Sequence, residues 1–170
     1  MKRLLPLSFL LLTGCPSFDR VEYILQLDRH EAVFVWHDLR GSDSGDFNSI
    51  LDDFVFGDKA SEEFPRATVV SRRLVPHGEE LDFRLDLRFE TPDDIGILPG
   101  DATHPYRFCA PDGLMVSAAA NALRDADHCV LFGKDTTVLH LEAKRVEGLH
   151  DTTMLPYYRK WALFKPRQIK

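Results

Sequence analysis

Cysteine is scarce in this chain, three in 170 residues, and no apolar run reaches the ~20 residues that a membrane-spanning helix needs. Seven histidines stand at 30, 37, 77, 104, 128, 140 and 150, none paired with another at metal-ligand spacing. The usual nucleophile and phosphate motifs are missing too. There is no G-x-S-x-G, S-x-x-K or H-E-x-x-H and no glycine-rich phosphate loop, so nothing points to those hydrolase or nucleotide-binding classes. Without a C-x-x-C pair, dithiol redox chemistry has no support. No internal repeat aligns, since "DTT" recurs at 135 and 151 between unlike flanks. Basic residues are in deficit, 21 Lys plus Arg against 27 Asp plus Glu. That sign of charge argues against a nucleic-acid partner.

What is present begins at the N-terminus. Lys2 and Arg3 form a short positive region, and Leu4 to Leu12 an apolar core too short to span a bilayer. Small residues follow at Thr13 and Gly14, then Cys15. This is the pattern of a secretory signal peptide. Leu12-Thr13-Gly14-Cys15 resembles the lipobox of bacterial lipoproteins, with Cys15 at the position of its invariant cysteine. The resemblance covers four residues and speaks only to address and anchoring. It implies cleavage of residues 1–14, diacylation of Cys15 on sulfur and usually a third acyl chain on its amine. Since the first alternating strand is expected from residue 21, 15–20 would be the lipidated N-terminus and a short linker. Two or three acyl chains suffice to anchor a domain without a spanning helix, at ~0.8 kcal/mol per buried CH₂. The residue after Cys15 is Pro16, not the Asp that retains enteric lipoproteins at the inner membrane. By that analogy an outer-membrane destination is favoured over the inner membrane.

Cleavage would leave 19 basic against 27 acidic residues, a net charge of −8. Residues 155–170, "LPYYRKWALFKPRQIK", hold five basic residues and no acid, so 15–154 carry −13. Acylation of Cys15 would also leave Cys109 and Cys129 as an even pair, expected to form a disulfide in an oxidising compartment. Two buried thiols, or one in a redox or nucleophilic role, are the alternative.

The patterning predicts an α+β domain over 21–170: an antiparallel sheet of about six to eight strands packed on one main helix at roughly 46–60. "VEYILQL" and "AVFVWHDL" alternate around a short polar break and read as a hairpin. "ATVVSRRLV" and "LDFRLDLRFE" read as a second one. Leu81, Phe83, Leu85, Leu87 and Phe89 point one way, and Asp82, Arg84, Asp86 and Arg88 form a solvated face. Phe47, Ile50, Leu51, Phe54 and Val55 make the helical stripe, with Asp46 as its expected N-cap and Gly57 or Pro65 as its stop. "YRFC", "GLMVSAA", "HCVLF" and "TVLHLEAKRV" look like further strands, and "SAAANALRDA" like either strand or short helix.

Candidate sites are few. Asp125, Asp127, His128 and Cys129 contain zinc-ligand types, but a disulfide would withdraw Cys129, and an exposed turn is the favoured reading. Asp43, Ser44, Asp46 and Asn48 supply oxygens without the phase of a calcium loop, so a turn is favoured there as well. His37 and Asp38 are neighbours on a strand and face opposite ways, so they are not expected to cooperate. The basic aromatic tail supplies candidate membrane or partner contacts: Tyr157, Tyr158, Arg159, Lys160, Trp161, Phe164, Lys165 and Arg167. Tyr157, Trp161 and Phe164 would share a helical face, or the aromatics would complete the core.

The function expected from these features is that of a non-catalytic, membrane-anchored envelope lipoprotein. It would bind a partner protein, an envelope component or an apolar ligand, and needs no cofactor. Deleting 155–170 would then weaken association and leave the fold intact. The alternative is a lipid-anchored hydrolase whose Asp, Glu and His residues converge only on folding.

Overall fold

Alternating side chains pair β1 (Arg20–Gln26) with β2 (Glu31–His37) as an antiparallel hairpin, Val21 opposite Trp36 and Tyr23 opposite Phe34. The computed structural model describes residues 17–111, 113–117, 122–126, 128–145 and 151–164. After β2 come β3 (Arg40–Gly41), α1 (Ser44–Ser49), a π-helical stretch (Ile50–Val55) and α2 (Lys59–Glu63). The second hairpin, β4 (Thr68–His77) and β5 (Glu80–Arg88), turns at Gly78, whose φ of 60° suits a residue without a side chain. A 3₁₀ turn (Pro92–Ile95) leads to β6 (Leu98–Pro99), β7 (Tyr106–Cys109), β8 (Leu114–Ser117), β9 (Ala122–Ala126) and β10 (Cys129–Phe132). β11 (Val138–Arg145), β12 (Thr152–Thr153) and α3 (Leu155–Phe164) follow.

The fold is α+β with antiparallel sheets, but the strands do not form one sheet. A six-stranded sheet runs β4-β5-β2-β1-β11-β8, a four-stranded sheet β6-β7-β10-β9, and β12 pairs with β3. The expectation of a single sheet on one main helix is corrected accordingly. Cys109 and Cys129 stand directly opposite each other within the smaller sheet. The alternative of a helix near 117–126 gives way at Ala122–Ala126, which pairs with β10; residues 118–121 lie outside the described residues. Cross-strand bonding there outweighs the helical preference of alanine, because tertiary context routinely overrides propensity.

The long helix is also broken. Its N-cap is Asp43, not Asp46: the Asp43 carboxylate accepts from the amides of Gly45 at 2.6 Å and Asp46 at 3.2 Å. Asp46 instead accepts from the Ser42 amide and hydroxyl. From Ile50 the chain widens, the Phe56 amide reaching back five residues to the Leu51 carbonyl at 2.8 Å. A Cβ at Gly57 would lie 2.1 Å from the Asp52 carbonyl oxygen, so the tight exit from this stretch admits only glycine. The apolar stripe survives the irregularity, because Phe47, Ile50 and Leu51 remain buried and Phe54 and Val55 pack beside them.

That stripe and the smaller sheet cover the inner face of the six-stranded sheet. Tyr23 meets Phe34 at 5.2 Å and Phe108 at 4.8 Å between ring centroids, and Phe34 meets Phe64 at 5.3 Å. Each fully buried large apolar side chain of this kind contributes roughly 1.5–3 kcal/mol. The interior here is filled by aromatic rings. The outer face of the large sheet stays uncovered by any described element, and its polar side chains meet one another there.

Candidate functional site

Four titratable side chains converge on that outer face from four neighbouring strands: Glu22 on β1, His37 on β2, Asp82 on β5 and His140 on β11. Period-two alternation gives all four the same side of the sheet, and strand order brings them into reach. His37 Nδ1 lies 3.1 Å from Asp82 Oδ2, and His37 Nε2 lies 3.3 Å from Glu22 Oε2. The other Glu22 oxygen is 2.5 Å from His140 Nε2. The result is a continuous Asp82–His37–Glu22–His140 chain.

Beyond Asp82 the chain continues into the backbone. The Asp38 amide donates to Asp82 Oδ1 at 3.1 Å, and Asp38 takes a left-handed φ of 51° just after the strand. The Asp38 carboxylate is buried and accepts from Arg40 Nε at 2.6 Å. Arg40 also donates to the Asp151 carbonyl, and the Ser17 hydroxyl donates to the Asp151 carboxylate at 3.2 Å. Ser17 is paired with Arg40 by two backbone bonds of 2.8 Å. The linker expected over 15–20 is therefore part of the fold from Ser17 onward.

Electrostatics follow the geometry. The hydrogen bond to Asp82 raises the His37 pKa above its ordinary 6.5, against the opposing effects of burial and of the Arg20 charge, with Glu22 adding to the rise. Burial pushes Asp82 upward, but hydrogen bonds from His37 and the Asp38 amide outweigh it and hold the carboxyl below its ordinary value. A proton on His37 thus sits between two carboxylates. Both ring nitrogens face carboxylates, so the pair lacks the free imidazole nitrogen that a general base offers to a hydroxyl or thiol.

The solvated row expected on β5 is corrected at one position: Asp82 is only 5% exposed, because His37 and the turn at Asp38 cover it. The placement of His37 and Asp38 on one strand is corrected, since β2 ends at His37 and Asp38 turns away in a left-handed conformation; their side chains engage different partners. Sequence reasoning missed the carboxylates that do meet His37. The same-face positions were readable, but the adjacency of β5 to β2 and of β11 to β1 was not.

No protein-family model, curated protein or solved structure matches this chain.

The remaining predicted residues fall elsewhere. Cys109 and Cys129 form a disulfide across β7 and β10, with Cα atoms 4.1 Å apart. Asp125 pairs with Arg107 at 2.8 Å, so two of the four zinc-type residues are otherwise engaged, and Asp127 lies outside the described residues. Cys15, Lys165 and Arg167 lie outside them as well.

α3 divides the aromatic set. Phe47 lies 6.4 Å from both Tyr157 and Trp161, and Phe56 lies 6.2 Å from Trp161. Tyr157, Tyr158 and Trp161 pack against the core, while Arg159 and Lys160 are exposed. Phe164 does not complete the core as the alternative reading of these aromatics would have it. One turn beyond Trp161 it projects into solvent at 76% exposure.

At the opposite end of the large sheet, a solvent-open hollow of about 270 Å³ is lined by Leu27, His30, Phe89, Tyr106 and Lys134 among others. Among the described residues no helix is long and apolar enough to cross a membrane.

Proposed function

We propose that this protein is a non-catalytic envelope lipoprotein, anchored through acylated Cys15, whose domain lies against a membrane and binds a partner protein or another envelope component. The reading is supported by the lipobox-like Leu12-Thr13-Gly14-Cys15, and the pairing of Ser17 with Arg40 sets how close such an anchor would hold the domain. Only Pro16 separates Ser17 from Cys15, and two residues reach at most ~7 Å. An acyl-cysteine at 15 would therefore hold the fold directly on the bilayer, with no spacer. The outer membrane is the favoured site, because Pro16 is not a retention residue.

The test is mass spectrometry of the chain recovered from membranes of a producing bacterium. The expected N-terminal peptide begins at Cys15 and carries a diacylglyceryl group, and Cys15→Ser abolishes both. An unacylated N-terminus, with the protein released by a salt wash, sinks the proposal.

The Asp82–His37–Glu22–His140 chain favours one second reading, a hydrolase that uses His37 to move a proton. The engagement of both imidazole nitrogens stands against it. Ester hydrolysis by the purified protein that disappears in His37→Gln, with the fold retained, would replace the first reading by this one.

A further inference from the structure

We infer that the exposed end of α3, together with Phe56, is a contact surface for an anionic phospholipid bilayer. The inference rests on the anchored-lipoprotein reading and assigns the part of the domain that meets the lipid. Leu163 is 82% exposed, Phe164 76% and Phe56 54%. Water-facing apolar side chains this large, grouped in one place, mark an interaction surface more often than scattered ones do. Phe56 stands beside this end of the helix: its ring lies 6.2 Å from that of Trp161, which also meets Phe47 at 6.4 Å and precedes Leu163 and Phe164 by two and three residues.

Charge selects the occupant. Arg159 and Lys160 flank the apolar end, and Lys165, Arg167 and Lys170 follow in the sequence. No acid occurs between 155 and 170, whereas 15–154 carry −13. An anionic surface would repel the body of the domain and attract this end. Arg159 lies 3.9 Å from Glu79, and both are largely exposed, so solvent screens the pair. Apolar side chains amid cations suit a headgroup layer, where rings and aliphatic chains enter the acyl boundary and cations meet phosphates.

The anchor adds continuity. Asp151 joins Ser17 by a hydrogen bond, the Met154 amide bonds to the Leu39 carbonyl, and α3 begins at Leu155. The root of α3 and the residue nearest the lipidation site therefore lie at one end of the domain. The helix is ten residues long, about 15 Å at 1.5 Å per residue. Its tip is therefore no more than about 15 Å from that end of the domain.

Trp161 supplies the probe, since the other tryptophan, Trp36, is buried. The processed full-length protein is reconstituted into phosphatidylglycerol-containing vesicles and, separately, into phosphatidylcholine vesicles, each with brominated acyl chains. Quenching of Trp161 in the anionic vesicles, reduced by salt and weaker in the zwitterionic ones, is the expected result. The double variant Leu163→Ser/Phe164→Ser should lose roughly half of that quenching or more while keeping its unfolding midpoint, because both side chains are solvent-exposed. Unchanged quenching in the double variant, or none in any vesicle, overturns the inference and leaves an acidic protein surface as the occupant to seek. Mass spectrometry of the same sample reports acylation of Cys15, so failure of the anchor and failure of the lipid contact are read from different signals.

Discussion

His37 is held by carboxylates on both ring nitrogens, and that arrangement makes stability depend on pH. Its folded pKa is raised, chiefly by the Asp82 hydrogen bond. A raised histidine binds its proton more tightly in the folded state, so its contribution is complete below about pH 6.5 and is lost as pH rises through the folded value. Asp82 has a lowered pKa, with burial opposed and outweighed by the His37 and Asp38 hydrogen bonds. Its contribution is complete above about pH 4 and is lost as pH falls through the folded value. The pair therefore stabilises most between these limits. His37→Gln should cost about 1.5–3 kcal/mol at pH 5.5, the range for a hydrogen bond to a charged group. Urea melts should show that difference shrinking by pH 8.5; a constant difference across that range would contradict the ion pair. The residue scale was only partly readable beforehand. His37 is visible in "VFVWHD", but its partners lie 15 and 45 positions away, and no local pattern marks them.

At the scale of elements, two features carry separate expectations. The disulfide closes a separation of 20 residues between β7 and β10. Replacing both cysteines with serine should lower unfolding free energy by about 3 kcal/mol in the chain-entropy account, read from denaturant midpoints under oxidising conditions. No change would mean that the two strands are held as well without the bond. α3 behaves as part of the fold at its root, with Leu155 1% exposed and three aromatics packed behind it. Deletion of 155–170 should therefore destabilise the domain by roughly 3 kcal/mol or more. That differs from the effect expected of a detachable tail, and a truncated protein melting like the full chain would restore the tail reading. Element type was legible where alternation was strong, as in β1, β2 and β5. It was ambiguous at Ala122–Ala126, where composition favours helix and pairing with β10 decides for strand.

Across the whole molecule, charge and topology define two ends. Ser17, Arg40, Asp151, the Gly78 turn and the start of α3 belong to one end, linked by hydrogen bonds from Ser17 to Asp151 and from Thr153 to Glu79. The β1–β2 turn, Phe89 and the hollow beside His30 lie at the other. A domain tethered at Cys15 and touching lipid through α3 would turn that hollow and its rim away from the bilayer. The Asp82–His37–Glu22–His140 chain runs across the outer face of the six-stranded sheet and joins the proximal end through Asp38 and Arg40.

The sequence by itself determined the alternating strands, the apolar stripe from Phe47 to Val55, the cysteines available for pairing and the excess of positive charge after residue 154. These are local properties, set by neighbouring residues and by composition. Tertiary structure alone decided that β11 lies beside β1 and β5 beside β2, that the described strands divide into three sheets, and that a helical run passes through a π-helical stretch to end at Gly57. It also decided which aromatics of α3 are covered and which face water. Strand order depends on burying whole faces against one another, and that preference is distributed over the core from Phe18 to Leu155.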